Sequence, residues 1–173
     1  MSELIFHILP VIIATLSFWA NTEKKVLLLN LGLCITLGIL WALQSAWGGA
    51  LVVTVAGFST AYRLIKAQKM SQRYTALTII LLTSAIGVIN HITGATGWLE
   101  ILPVITFIFY RYGELHCDEK GLRICMVAGS AIFALYGVIT HTWGAALTEA
   151  LFVLSNGWFL LQRHRLAVAA GRS

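Results

Sequence analysis

The sequence predicts an all-α membrane protein of seven transmembrane helices, made of two parallel three-helix repeats joined by a linker helix. Its N-terminus is predicted outside the cell and its C-terminus in the cytoplasm. Three observations lead to this prediction: an apolar composition, the grouping of positive charges and an internal repeat. Apolar residues make up 58% of the 173 residues and charged residues 11%, whereas a soluble domain has roughly 25% charged residues. This composition excludes a water-soluble protein.

Charged and glycine-rich positions divide the chain into seven apolar segments. Each is long enough, or nearly so, to supply the about 20 residues that cross the hydrocarbon. Arg63 and Arg111 fall near the ends of the third and fifth segments, where we expect their side chains to snorkel to the interface. The segments run over 4–20, 26–46, 50–67, 74–92, 98–113, 121–142 and 145–162.

The positive charges predict the orientation, because cytoplasmic loops collect Lys and Arg. All 12 lie in the first, third and fifth connections and in the tail. Seven crossings place these four regions on one face, whereas six would scatter them over both faces. The residues are Lys24, Lys25, Arg63, Lys66, Lys69, Arg73, Arg111, Lys120, Arg123, Arg163, Arg165 and Arg172.

The opposite face is predicted to have very short connections, with Trp47, Trp98 and Trp143 at its level. Tryptophans at one depth are typical of an interfacial aromatic belt. The basic residues lie between apolar runs and not in one stripe, so the bilayer is the expected partner and nucleic acid is not. Homo-oligomer formation stays open at this point.

An internal repeat relates the two halves of the chain. The word ILPVI at 8–12 recurs at 101–105, and WGGAL at 47–51 is matched by WGAAL at 143–147. Helices one to three therefore match helices five to seven. Because one helix separates the copies, both cross in the same direction, which is the parallel-repeat architecture of carriers. The predicted units are 1–70, linker helix 71–95 and 96–165, followed by a cytoplasmic tail at 166–173.

The word EILPVI at 100–105, with Trp143-Gly144 and the later Glu149 and Asn156, resembles the bacterial inner-membrane YgjV family. The likeness covers most of the chain. It implies a multi-pass protein of the bacterial inner membrane and carries no established activity.

The three-plus-one-plus-three layout, with Pro10 and Pro103 in helices one and five, more distantly resembles the SWEET, or PQ-loop (MtN3-like), transporters. This resemblance implies a transporter fold. The glutamine of the PQ dipeptide is replaced by Val11 and Val104, so sugar specificity is not carried over.

The two prolines are candidate hinge or gate residues. A proline inside a helix removes one backbone hydrogen bond, and interruptions at matching points of two repeats indicate a transport site. Neighbouring helices also re-satisfy such backbone groups without any gate. His7 and Glu100 occupy matching positions three residues before each proline, and we expect them to pair as an outer gate.

Glu149 and Asn156 lie two helical turns apart in the last predicted helix, so both occupy one face. An ionisable residue in a transmembrane helix is costly and favours a functional role. The alternatives are an interfacial Glu149 and an Asn156 that only bonds a neighbouring helix. Their repeat partners are Val53 and Thr60.

The favoured function is a small secondary carrier that rocks two three-helix units around a central cavity. The expected solute is small and polar, such as a sugar or a vitamin- or nucleoside-like compound. A non-transporting receptor or assembly partner is the alternative, and a cavity reaching the midplane would favour the carrier. The candidate lining residues are Asn156, Thr60, Glu149, Trp41, Tyr62 and Trp158.

Enzyme signatures such as HExxH, GxSxG or a P-loop are lacking in the sequence, so no enzymatic activity is predicted. The histidines show no close metal-ligand spacing such as HxxxH. We therefore expect neither a metal nor another cofactor.

Overall fold

The computed structural model describes residues 2–45, 47–66, 69–92, 94 and 97–170, and its backbone there is almost wholly helical. Seven α-helices occur in these ranges, together with short 3-10 helices at Ser17–Trp19 and Trp98–Glu100. The α-helices are α1 (Ser2–Leu16), α2 (Glu23–Leu43), α3 (Trp47–Lys66), α4 (Gln72–Ile92), α5 (Ile101–His116), α6 (Glu119–Ile139) and α7 (Trp143–Ala170).

The helices follow the predicted segments in order, so the all-α fold class is confirmed. Four are long and apolar enough to cross a membrane: α2, α4, α6 and the part of α7 from Trp143 to Val168. α5 is only 16 residues long, and α3 carries Arg63 and Lys66 in its last turn.

Side-chain caps fix the start of two central helices. The Thr22 hydroxyl accepts a hydrogen bond from the Lys25 N–H at the start of α2, at 3.4 Å. The Asp118 carboxylate accepts one from the Gly121 N–H at the start of α6, at 2.8 Å. Such caps satisfy backbone donors that a helix leaves free in its first turn. Both helices therefore begin at a polar boundary of the bundle.

Six of the helices pack in a closed ring. α2 packs on α3, α5 on α6 and α6 on α7, while α1 lies against both α2 and α7, and α3 lies against α5. α4 packs mainly on α5 at the edge of the ring. Only 17% of the apolar window of α4 is buried, compared with 50% for α2 and α6. The core therefore lies inside the six-helix ring.

The basic residues concentrate at one end of this ring, which we call the basic end. There Arg63 on α3 pairs with Glu23 at the start of α2 at 2.5 Å. The Met70 N–H donates to the Leu115 carbonyl near the end of α5 at 2.7 Å. α3 and α5 therefore both end at the basic end and run in the same direction, whereas α2 begins there and runs the opposite way.

The helix hairpins close at the opposite end with complementary large and small residues. Trp41 on α2 covers Gly49 on α3, where an added Cβ would lie 2.7 Å from the indole ring. In the α6–α7 hairpin, a Cβ on Gly137 would lie 2.9 Å from the backbone nitrogen of Ala146. Contacts this short require glycine, because a methyl group would push the helices apart.

Gly137→Ala is expected to destabilise the protein by about 1–3 kcal/mol, because overpacking against backbone cannot be relieved by a rotamer change. Gly87→Ala on α4 is the matched control, since its Cβ would meet nothing within 4 Å and alanine is a better helix former than glycine. Thermal unfolding of the purified variants in detergent measures the difference. Equal midpoints for the two variants would contradict the close α6–α7 contact.

Candidate functional site

Arg111 and Glu114 form an ion pair that is wholly inside the bundle. Arg111 Nη1 lies 2.5 Å from Glu114 Oε2, and both side chains are 0% exposed. They are three residues apart on α5, a spacing that places them on one helix face. The expectation that Arg111 snorkels to the interface is wrong, because this intrahelical carboxylate neutralises the guanidinium where it is buried.

The Arg111 guanidinium also joins α5 to α3. Its Nη1 lies within hydrogen-bonding distance of the Ala56 carbonyl at 2.8 Å, Ser59 Oγ at 2.6 Å and Thr60 Oγ1 at 3.2 Å. The Nε and Nη2 groups have no hydrogen-bond partner among the described residues. Nη1 of the guanidinium is thus fully engaged, whereas Nε and Nη2 are donors without an acceptor in the described part of the chain.

The Glu114 carboxylate receives donors from two further helices. Asn30 Nδ2 on α2 donates to Oε1 at 2.6 Å, and Thr60 Oγ1 on α3 lies 2.9 and 3.0 Å from the two carboxylate oxygens. Such hydrogen bonds offset part of the cost of burying the ion pair. We call Asn30, Thr60, Arg111 and Glu114 the central cluster.

A second buried carboxylate, Glu149 on α7, has different partners. The Tyr110 hydroxyl of α5 donates to Glu149 Oε2 at 2.9 Å and lies 2.5 Å from Ser130 Oγ of α6. Glu149 is only 3% exposed. Within the described ranges it forms no ion pair with Lys, Arg or His. We call Tyr110, Ser130 and Glu149 the Glu149 cluster.

A small cavity of about 10 Å³ lies between the central cluster and the Glu149 cluster. Asn30, Thr106, Tyr110 and Glu149 contribute polar side chains to its lining, and the rest of the wall is mainly apolar. This volume is about that of one water molecule. A larger groove of about 440 Å³ runs along α2 and α3 and includes the exposed Ile35 and Phe58.

Asn156 is buried, as predicted, but it lies in another contact, at the basic end. Arg123 Nη1 of α6 donates to Asn156 Oδ1 at 3.2 Å, and Arg123 Nη2 donates to the Ala20 carbonyl at 2.5 Å. The Arg123 guanidinium also lies 3.6 Å from the Phe159 ring centre. Asn156 and Glu149 thus share the inward face of α7 but have separate partners.

The aromatic candidates are dispersed. Trp41 is fully buried and packs edge-on against Phe133 at a ring-centroid distance of 4.5 Å. Tyr62 is 48% exposed and Trp158 is 49% exposed. The structure does not bring these two residues to the cavity, and their role in a solute site stays a prediction.

The two prolines differ in position. Pro10 lies inside α1, where it interrupts the backbone ladder. Pro103 lies in the first turn of α5, after the 3-10 helix Trp98–Glu100, where a proline removes no intrahelical bond. The argument for a kink therefore holds for Pro10 and not for Pro103. Glu100 Oε1 lies 3.3 Å from the Tyr136 hydroxyl, which donates to it, and the side chain of His7 is outside the described part of the chain.

The family model Imp-YgjV, described as a bacterial inner membrane protein, matches residues 2–166. The chain belongs to this family. The match covers almost the whole chain, so the predicted family and its location in the bacterial inner membrane are confirmed. Searches of curated proteins and of solved structures give no match for this YgjV-family chain.

Sequence reasoning missed most of the polar core of this YgjV-family protein. It did not single out Asn30, Tyr110, Glu114 or Ser130 as site residues, and it treated Arg111 as interfacial. One signal was available: Arg111 and Glu114 are opposite charges at spacing i, i+3 next to an apolar segment. No comparable signal marks Tyr110 or Ser130, because isolated hydroxyls in apolar helices usually bond their own backbone.

The arrangement can bind polar groups and exchange protons. No group of three or more His, Cys, Asp or Glu residues suited to a metal ion occurs in the ranges that the structure describes. Outside the apolar helices, burial raises the pKa of the Cys117 thiol, at the turn between α5 and α6, above its ordinary value. The polar chemistry of this YgjV-family protein therefore centres on the two buried carboxylate clusters.

Glu114→Gln is expected to cost about 3–5 kcal/mol, because it leaves the Arg111 charge buried without a counter-ion. The double variant Arg111→Met with Glu114→Leu is expected to recover much of that loss, since it removes both charges. Glu23→Gln is the control, because Glu23 is 29% exposed and water replaces part of its pairing. Chemical unfolding in detergent reports the order, and a Glu114→Gln protein as stable as wild type would contradict the buried pair.

Proposed function

We propose that this protein is a secondary carrier that moves a small polar solute by alternating access between two three-helix units. The observation that carries the proposal is the central cluster. Polar and charged side chains of α2 and α3 meet those of α5 inside an apolar bundle. Ionisable groups at such a place are expensive, and in membrane proteins they mark substrate or ion pathways.

The packing of the helices supports the three-plus-one-plus-three architecture. When α1 is exchanged with α5, α2 with α6 and α3 with α7, each contact between neighbouring helices of the ring becomes another contact of the same ring. The α1–α2 contact becomes α5–α6, the α2–α3 contact becomes α6–α7, and the α3–α5 contact becomes α7–α1. A pseudo-two-fold axis along the membrane normal would produce this pattern.

Two arginines at the basic end support the same relation. Arg63 donates to the Glu114 carbonyl near the end of α5 and pairs with Glu23 at the start of α2. Arg123 donates to the Ala20 carbonyl after α1 and pairs with Glu119 at the start of α6. Glu23 and Glu119 occupy equivalent positions when the two repeats are aligned on WGGAL at 47–51 and WGAAL at 143–147. Each unit thus bonds the first helix of the other unit through an arginine that also pairs with the glutamate at the start of its own second helix, although this arginine comes from α3 in the first unit and from α6 in the second.

The proposed topology has seven crossings, with the N-terminus outside and the basic end in the cytoplasm. It rests on the positive-inside distribution of Lys and Arg. The short α5 then crosses with Arg111 neutralised inside the bundle, and α3 reaches the basic end with Arg63 paired to Glu23. We also retain the likeness to SWEET, or PQ-loop, transporters as part of this proposal.

Cysteine labelling tests the topology. In a chain freed of its own cysteines, Ser71→Cys is expected to react only after permeabilisation, because it follows the basic end of α3. Gly97→Cys is expected to react in intact spheroplasts, since its surroundings are open and it precedes α5. Labelling of both positions from one side, or with the sides reversed, would contradict the topology.

The packed centre favours the alternative, a non-transporting receptor or assembly partner. A wide cavity at the midplane would be the sign of an open carrier, and the cavity there is only about 10 Å³. A carrier that holds no solute has such a centre when both units close on each other. A transport measurement is therefore needed to distinguish a carrier from a receptor or assembly partner.

Thr60 variants in proteoliposomes provide this test. Candidate sugars, nucleosides and vitamins are first screened for thermal stabilisation of the purified protein, and uptake of stabilising compounds is then measured. Thr60→Val is expected to reduce uptake several-fold, because it removes the hydroxyl that contacts Asn30, Arg111 and Glu114. Thr60→Ser keeps the hydroxyl and is the control.

Absence of both stabilisation and uptake across these solute classes would favour the receptor or assembly role. Equal uptake by the Val and Ser variants would remove Thr60 from the solute path. The outer gate formed by His7 and Glu100 remains part of the proposal, with Tyr136 as an additional partner of Glu100.

A further inference from the structure

Two carboxylates lie within the same bundle, and only one of them has a cation. Glu114 pairs with Arg111, and neither side chain is exposed. Glu149 is 3% exposed, and its described polar partners are hydroxyl groups. Among the described residues Glu149 thus has no charged partner, so its ionised form leaves an uncompensated charge inside the bundle and its protonated form does not. A net charge inside a membrane bundle is costly.

We infer that Glu149 is a proton-binding site through which the carrier couples solute movement to the proton gradient. This inference rests on the proposed carrier function and adds the coupling ion. Hydronium from one side transfers a proton to the Glu149 carboxylate, forming an O–H bond and leaving water. After the units rock, that O–H bond breaks and the proton passes to water on the other side. No other reactant is required.

The geometry supplies a relay to the carboxylate. Tyr110 donates to Glu149 Oε2, and the Tyr110 oxygen lies 2.5 Å from Ser130 Oγ. Ser130 is thus linked to Glu149 through the Tyr110 hydroxyl. Both hydroxyls act as donor and acceptor, so they stabilise the carboxylate when it is ionised and leave room for its proton when it is not.

The cavity beside Glu149 provides the connection to the central cluster. Its volume of about 10 Å³ corresponds to a single water, which is too small for a solute and sufficient for a proton carrier. Asn30 lines the same cavity and donates to Glu114. A water in this cavity would lie between Glu149, whose charge can change, and the Arg111–Glu114 ion pair, whose charges are permanent.

Other groups around Glu149 leave its charge unbalanced. Across the cavity, α5 presents Tyr110 and α2 presents Cys34. α6 presents Ser130, α3 presents apolar side chains, and residues 8–16 of α1 contain no titratable group. Among the described residues that line the cavity or bond to Glu149, none is a cation.

Alternating access explains why such a site would be useful. While the units rock, a site with an ionised Glu149 must carry net charge through the packed state, whereas the protonated site is neutral. Rocking is therefore easier with the proton bound, and this preference links proton movement to solute movement.

Infrared difference spectroscopy of the purified protein tests proton binding without any solute. Between acidic and alkaline buffer we expect the carbonyl stretch of a protonated carboxylic acid to disappear. Glu149→Gln is expected to lack this band, while Glu119→Gln at the basic end keeps it. A wild-type protein without the band, or a Glu149→Gln protein that retains it in full, would overturn the proton site.

Proteoliposomes with an internal pH-sensitive dye test the coupling. For a solute found by uptake, we expect its entry to acidify or alkalinise the lumen in wild type, with at least a several-fold loss of this signal in Glu149→Gln. Solute uptake that proceeds with no proton movement would refute the coupling while leaving the carrier function intact. Failure of uptake for every solute would count against the carrier function, and the infrared result would still decide whether Glu149 binds a proton.

Discussion

Arg111 and Glu114 lie one turn apart on α5, and neither side chain reaches solvent. The rest of the polar interior is arranged around this pair. α3 supplies carbonyl and hydroxyl acceptors to the guanidinium, and α2 supplies the Asn30 amide to the carboxylate. Because an unsatisfied buried charge is so costly, these contacts fix how α2, α3 and α5 approach one another. The position of the small central cavity follows from that approach.

The Glu149 cluster shows what changes when the cation is missing. Glu149 occupies the same apolar interior, yet hydroxyls are its described partners. A carboxylate with a fixed counter-ion serves as a permanent part of the structure, whereas one held by hydroxyls is free to change its charge. The proposal of a proton-coupled carrier therefore depends on this difference between Glu114 and Glu149: one has a counter-ion and the other does not.

Much of the fold could be predicted from the sequence, because hydropathy and charge act directly on helix position. Seven helices follow the predicted segments, and the family is the predicted one. The site was less predictable. Glu149, Asn156 and Thr60 were recognisable as polar residues in apolar segments, and all three are buried. Their partners come from other helices, and sequence patterns within one helix do not reveal which face meets which neighbour.

Tyr62 and Trp158 illustrate the same limit from the other direction. Both are aromatic and lie near polar residues in sequence, yet about half of each side chain is exposed. Lipid accepts an aromatic ring as readily as a protein interior does, so residue type alone does not separate a ring facing the membrane from one facing a cavity. Arg111 was misplaced for a related reason: its counter-ion three residues later turns an interfacial charge into a buried one.

The local spacing of Arg111 and Glu114 has a consequence for biosynthesis. Both charges belong to the same helix, so α5 can neutralise its own guanidinium as soon as it becomes helical, before α2 or α3 has docked. The insertion machinery then meets a short segment whose net charge is already zero, and the cost of a lone arginine in the hydrocarbon is reduced. Arg63 depends instead on Glu23 from an earlier helix, and its neutralisation has to await the pairing of α2 with α3. The two arginines therefore differ in what their neutralisation requires: Arg111 needs only its own helix, and Arg63 needs two helices to have paired.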